Sequence, residues 1–121
     1  MPDIRIKRIY DSADDSDGFR VLVDRLWPRG VRKIDADIDL WVRDIAPSTE
    51  LREDLHSGHD PWPVFVKQYR DELRHNPAVR EFVDTIHDKT TVTLLTATKD
   101  LHHTHATVMA EVLKDKLKRA A

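Results

Sequence analysis

The segment Asp24-Arg25-Leu26-Trp27-Pro28-Arg29-Gly30 gathers groups suited to holding an anion. A guanidinium is a planar fork of N–H donors that matches carboxylate or phosphate in bidentate fashion. Arg25 and Arg29 place two such forks around a Pro-Gly turn. Asp24 beside them can orient an arginine or accept a proton. The plainer reading is that Asp24 pairs with Arg25 or Arg52 and only fixes the turn. Trp27, at a turn among polar neighbours, offers a face for stacking, and Trp41 offers a second. Tryptophans in small domains more often serve core or rim packing, because each buries a large area, and Trp27 is the better stacking candidate of the two.

Further along, Ser48 precedes Thr49-Glu50-Leu51-Arg52 at a helix start. Backbone N–H groups and the helix dipole favour an anion there, with Arg52 able to join it. A plain N-cap explains Ser48 as well. It is a weak nucleophile candidate, because no Gly-x-Ser-x-Gly elbow surrounds it. Lys99 and His105 follow an apolar strand. His105 can serve as acid or base near neutral pH, or sit neutral and hydrogen-bonded at a helix start. The pairs His56/His59 and His102/His105 invite a metal, yet zinc needs three or four convergent ligands and no His-Glu-x-x-His pattern occurs. No metal and no cofactor is expected.

The elements that carry these residues can be read from periodicity. Ile4–Tyr10 alternates as a strand with one exposed face. Residues 11–18 form a loop, and Phe19–Asp24 a short central strand. Ile38–Ile45 fits either a strand or a short helical stripe, and strand is the expectation. Ser48 opens a helix ending near His56. Asp60-Pro61 and Asn76-Pro77 each read as helix starts. Trp62, Phe65, Val66, Tyr69 and Leu73 line the first of these helices, and Val79, Phe82, Val83 and Ile86 the second. Thr91–Ala97 is β-branched and central, and Thr104–Lys118 closes the chain as a helix with Ala106, Met109, Val112, Leu113 and Leu117 inward. Strands, then helices, then a strand–helix unit predict a small three-layer α/β sandwich with a largely parallel sheet. Ligand-contacting groups then gather beyond the carboxyl ends of the strands.

Composition narrows the function classes. The 121 residues suit a single domain, and 40% hydrophobic with 35% charged residues suits a soluble one. A net charge of -2 disfavours a general polyanion binder but allows a local basic pocket. There is no cysteine, hence no thiol nucleophile and no disulfide. Three glycines, none in a Gly-x-Gly-x-x-Gly or Gly-x-x-x-x-Gly-Lys loop, disfavour the usual nucleotide cradles. The N-terminus lacks an apolar signal core, and no apolar run is long enough for a membrane span, so a cytoplasmic location and no membrane partner are expected.

Three motifs in order carry a family resemblance. They are Asp24–Gly30, Trp41 ahead of Ala46-Pro47-Ser48-Thr49-Glu50-Leu51-Arg52, and Thr93-Leu94-Leu95 with Lys99 and His105-Ala106. The chain resembles the short, YeaO-like branch of the DUF488 family from about Ile4 to about Leu117. The resemblance implies a bacterial, cytoplasmic α/β domain and supplies no reaction. Longer members carry cysteines after the last strand, where this chain reads Thr96-Ala97-Thr98-Lys99-Asp100. Any role that depends on a thiol there does not transfer.

The expected function is a preformed pocket for an anionic small molecule, phosphate-bearing or nucleotide-like. Arg25, Arg29 and Arg52 hold the anion, Trp27, Trp41 and Ser48 support it, and Asp24, Lys99 and His105 supply charge or proton transfer. A hydrolase or transferase would use such a set. The alternative is a non-catalytic binding module for single-stranded nucleic acid or a protein, with nucleic acid disfavoured by overall acidity.

Overall fold

Thr91-Val92-Thr93-Leu94-Leu95-Thr96 is the strand on which the other elements assemble. All but Thr91 are buried, as expected of a strand covered on both faces. The computed structural model describes residues 1–58 and 61–120. In it, β1 (Asp3–Arg8), β2 (Phe19–Leu22), β3 (Leu40–Trp41) and β4 (Thr91–Thr96) form one sheet in the order β1-β4-β2-β3. Every pairing is parallel, from Asp3↔Thr91 to Arg8↔Thr96 and from Phe19↔Val92 to Leu22↔Leu95. The flanking helices are α1 (Lys33–Ala36), α2 (Thr49–His56), α3 (Trp62–Arg74), α4 (Ala78–Ile86) and α5 (His105–Ala120). The result is a three-layer α/β sandwich. Among the described residues no helix is long and apolar enough to cross a membrane.

The apolar stripes land where their spacing predicts. Phe65, Tyr69 and Leu73 of α3, and Val79, Phe82, Val83 and Ile86 of α4, are buried. Each such side chain contributes about 1.5–3 kcal/mol when fully buried. Tyr69 is sealed in the core, and its hydroxyl donates to the Ile45 carbonyl at 2.7 Å, which satisfies the one polar atom it brings inside. Asn76 starts α4 through its side chain, with Oδ1 accepting the Ala78 N–H at 3.0 Å. Pro61 stands at the start of α3, while the expected cap at Asp60 lies outside the described residues.

Asp15–Asp17, within the expected loop, forms a 3-10 turn capped by Asp14, and two further segments depart from expectation. Ile38–Ile45 pairs only at Leu40–Trp41, because the chain then tightens into a 3-10 turn, Arg43–Ile45, that buries Ile45 in the core. The short α1 was not foreseen. It has one buried residue, Ala36, and no apolar period to announce it, and it ends on Asp37 in the left-handed region at φ 49°.

The amino edge of the sheet is locked by charge. Asp17 and Arg20 form a buried pair, and the Lys7 ammonium reaches Asp17 at 3.1 Å. Arg20 also donates to the Asp37 carbonyl at 2.7 Å and the Ala36 carbonyl at 3.3 Å. Gly18 permits this turn: φ is 64°, and a Cβ there would lie 2.4 Å from the Thr91 carbonyl oxygen.

Candidate functional site

Parallel strands release all their following loops at one edge. Here β2 and β4 end side by side, so Asp24 comes next to Thr96 and Ala97. Asp24 bridges the gap. Its Oδ1 accepts the Thr96 hydroxyl at 2.7 Å and its Oδ2 accepts the Ala97 N–H at 2.8 Å. His105, in the first turn of α5, brings Nε2 to 3.0 Å from Asp24 Oδ1. Burial pushes the Asp24 carboxyl upward, but the His105 hydrogen bond and charge, then the Ala97 N–H and the Thr96 hydroxyl, outweigh it. Asp24 therefore sits below the ordinary aspartate range and is ionised at neutral pH.

The same contacts assign the imidazole proton. Nε2 faces two acceptors, the Asp24 carboxylate and the Val23 carbonyl at 3.2 Å, so Nε2 carries hydrogen. Nδ1 lies 3.4 Å from the Thr104 hydroxyl. Both ring nitrogens are thus engaged inside the protein. Asp24 pairs with this histidine and not with Arg25 or Arg52, the partners its neighbourhood in sequence suggests.

Around this pair opens a cavity of 410 Å³, lined on its charged side by Asp24, Arg25, Arg29, Arg52, Lys99 and His105. Its apolar walls include Leu26, Trp27, Pro28, Leu55 and Phe65. Four permanent cations face one carboxylate. The arginines are not equivalent. Arg25 donates through Nε to the Pro47 carbonyl at 3.0 Å and through Nη2 to the Ala46 carbonyl at 2.9 Å, tying the loop after β2 to the entry of α2. Arg29 and Lys99 are exposed, and no hydrogen bond or ion pair engages either side chain among the described residues. Arg52 has a buried Nε with no hydrogen-bond partner among the described residues. A buried donor left unmatched costs about 1–3 kcal/mol.

Seven of the nine residues singled out from the sequence line this one hollow: Asp24, Arg25, Trp27, Arg29, Arg52, Lys99 and His105. Trp41 and Ser48 do not. Trp41 packs edge-on against Trp27, with ring centroids 5.4 Å apart, and donates Nε1–H to the Asp24 carbonyl at 2.6 Å. It supports the wall from behind. Ser48 caps α2, accepting the Leu51 N–H at 3.2 Å, and its own N–H and hydroxyl are taken by the Glu72 carboxylate at 3.0 and 2.6 Å. The helix entry expected to suit an anion is occupied by the Glu72 carboxylate. Trp27 itself donates Nε1–H to the Val31 carbonyl at 2.6 Å.

Tyr10, Leu26 and Thr98 also line the cavity and were not anticipated. Tyr10 arrives because the loop after β1 leaves the sheet at the same edge, and its hydroxyl donates to the Arg29 carbonyl at 2.8 Å. Knowing that β1 and β2 flank β4 would have predicted it. Thr98 needed only the alternation beyond Thr96 carried two residues further. Among the described residues, no three His, Asp or Glu side chains converge as metal ligands.

A family model described as the inactive DUF488-N3 subclade matches residues 3–121. The chain is 42% identical over 111 residues to the uncharacterized protein YeaO of Escherichia coli (strain K12), covering 92% of this chain and 96% of that one. It is 40% identical over 110 residues to an uncharacterized protein of Mycobacterium tuberculosis (strain ATCC 25618 / H37Rv), covering 91% and 92%. An uncharacterized Mycobacterium bovis protein matches to the same extent. No solved structure gives a significant match.

Proposed function

The chain belongs to the DUF488 family, within the reach of its inactive DUF488-N3 subclade, and from that premise we propose that the cavity binds a phosphate-bearing small molecule without transforming it. The observation that carries this reading is the buried Nε of Arg52, unpartnered among the described residues, in a cavity that Arg29 and Lys99 also line. A ligand oxygen there removes the desolvation penalty and adds a charge-assisted hydrogen bond. Four cations against a carboxylate that is itself held by His105 favour a dianion over a neutral guest. The apolar wall of Leu26, Trp27 and Phe65 suits an organic substituent.

Absence of chemistry is supported by the groups present. Of the two histidines that line the cavity, His105, the one paired with Asp24, has both nitrogens engaged, and the Asp24 carboxylate accepts from three donors. The lining carries no thiol, and its hydroxyls, Tyr10 and Thr98, are each hydrogen-bonded within the protein. The subclade's description as inactive agrees with this.

Thermal-shift and calorimetric titration with inorganic phosphate and phenyl phosphate test the proposal. Phenyl phosphate raises the melting temperature of the wild type and leaves Arg52→Met unmoved, and phosphorus NMR finds the ester intact after prolonged incubation. No stabilisation by either compound removes the binding reading. Hydrolysis of the ester removes the non-catalytic one and restores a hydrolase.

A further inference from the structure

The cavity has one group whose hydrogen-bond polarity is fixed by its neighbours. Thr96 is fully buried, and its hydroxyl has a single proton. That proton goes to Asp24 Oδ1 at 2.7 Å, because an ionised carboxylate can only accept. Thr98 Oγ1 lies 3.0 Å from Thr96 Oγ1. With the Thr96 proton committed, Thr98 must be the donor in that contact. The Thr98 N–H reaches the same Thr96 oxygen at 3.2 Å, which holds the residue in place. Thr98, which lines the cavity, therefore has its own proton already used, and among the described residues no donor reaches its hydroxyl oxygen.

Lys99, its neighbour in sequence, Arg29 and Arg52 line the same hollow, all donors. The phosphoryl group of a phosphomonoester dianion can accept from those three and offers nothing to Thr98, because it has no hydrogen to give. Turned toward Thr98, its oxygens would oppose lone pairs. The complementary guest carries its anion for the cations and a hydroxyl on the adjoining carbon chain for Thr98. We infer that Thr98 is a specificity residue that selects phosphomonoesters of polyhydroxy compounds, such as sugar or polyol phosphates, over simple alkyl phosphates. This rests on the anion-binding reading above and adds the identity of the organic part.

A matched pair of probes tests it: glycerol 3-phosphate and propyl phosphate, titrated calorimetrically into the wild type, Thr98→Val and Thr98→Ser. The ratio of the two affinities is the readout, so general weakening of the pocket cancels. Replacing the hydroxyl with a methyl in Thr98→Val shifts the ratio against glycerol 3-phosphate by about fivefold, the worth of one neutral hydrogen bond, and Thr98→Ser leaves it near the wild-type value. A second measurement needs no variant. Methylating the hydroxyl of 2-hydroxyethyl phosphate keeps its acceptor and removes its donor, and wild-type affinity falls by a similar factor. A ratio unmoved by Thr98→Val, or full tolerance of methylation, overturns the role of Thr98 while the anion site stands. If no phosphomonoester binds the wild type at all, both readings fall together.

Discussion

Asp24 Oδ1 and His105 Nε2 lie 3.0 Å apart, joining the loop after β2 to the first turn of α5 across 81 positions of sequence. The pair is mostly buried, and the carboxylate also holds Thr96 and Ala97. It fixes the floor of the cavity and the relation of three elements.

Replacing Asp24 with Asn leaves one oxygen for three donors and turns an amide N–H₂ against at least one of them. The expected loss is about 2–4 kcal/mol in urea unfolding at pH 7. Its pH dependence has a definite sign. The folded carboxyl is held below its unfolded value of about 4, so the stability it supplies is fully present above that value and is lost as pH falls through the lower folded one. The gap between wild type and Asp24→Asn therefore narrows below about pH 4. A gap that stays constant down to pH 2, or widens on acidification, contradicts the assignment.

Arg25 and Arg29 separate structure from binding although they are close in sequence. Arg25→Ala removes two donations to the carbonyls of Ala46 and Pro47 and costs about 1–3 kcal/mol of stability. Arg29→Ala removes an exposed side chain and changes stability by less than about 0.5 kcal/mol, while weakening anion affinity. Equal destabilisation by both would show that Arg29 also has an internal role.

Arg52→Met behaves differently again. Methionine keeps much of the aliphatic stem and discards the unmatched buried donor. Without ligand, the variant is as stable as the wild type or gains up to about 1 kcal/mol, as judged by denaturant midpoints. A substantial loss would mean that the guanidinium is satisfied within the protein after all.

The far edge of the sheet gives a control remote from the cavity. Arg20→Met leaves the buried Asp17 carboxylate with Lys7 as its one cationic partner among the described residues and is expected to cost about 3 kcal/mol. Whatever folded protein remains should bind phenyl phosphate with wild-type affinity. Lost affinity in folded protein would tie the two edges together.

The architecture was legible because it depends on periodicity. The apolar runs at Val21-Leu22-Val23 and Val92–Leu95 are short, continuous and buried, and the stripes of α3 and α4 recur at helical spacing. Convergence at the carboxyl edge followed from parallel strands alone, which is why seven residues from three segments reach one hollow. Hydrogen-bond partners were not legible. Asp24 stands next to Arg25 in sequence, yet its partner is His105, because adjacent residues after a strand point apart while strand order decides what lies opposite. The same limit hid Glu72, whose carboxylate occupies the Ser48 helix entry from another helix. Thr96 and Thr98 look like ordinary strand-end residues until the carboxylate that orders their protons is in place.

The most direct measurement is the side-chain Nε–H resonance of Arg52 in a nitrogen-edited proton spectrum, followed during titration with a phosphomonoester. The account predicts that this resonance, assigned by its loss in Arg52→Met, shifts saturably and becomes protected from exchange as the ligand binds. A resonance that stays fixed while the ligand binds elsewhere, or while nothing binds, contradicts an anion seated on Arg52.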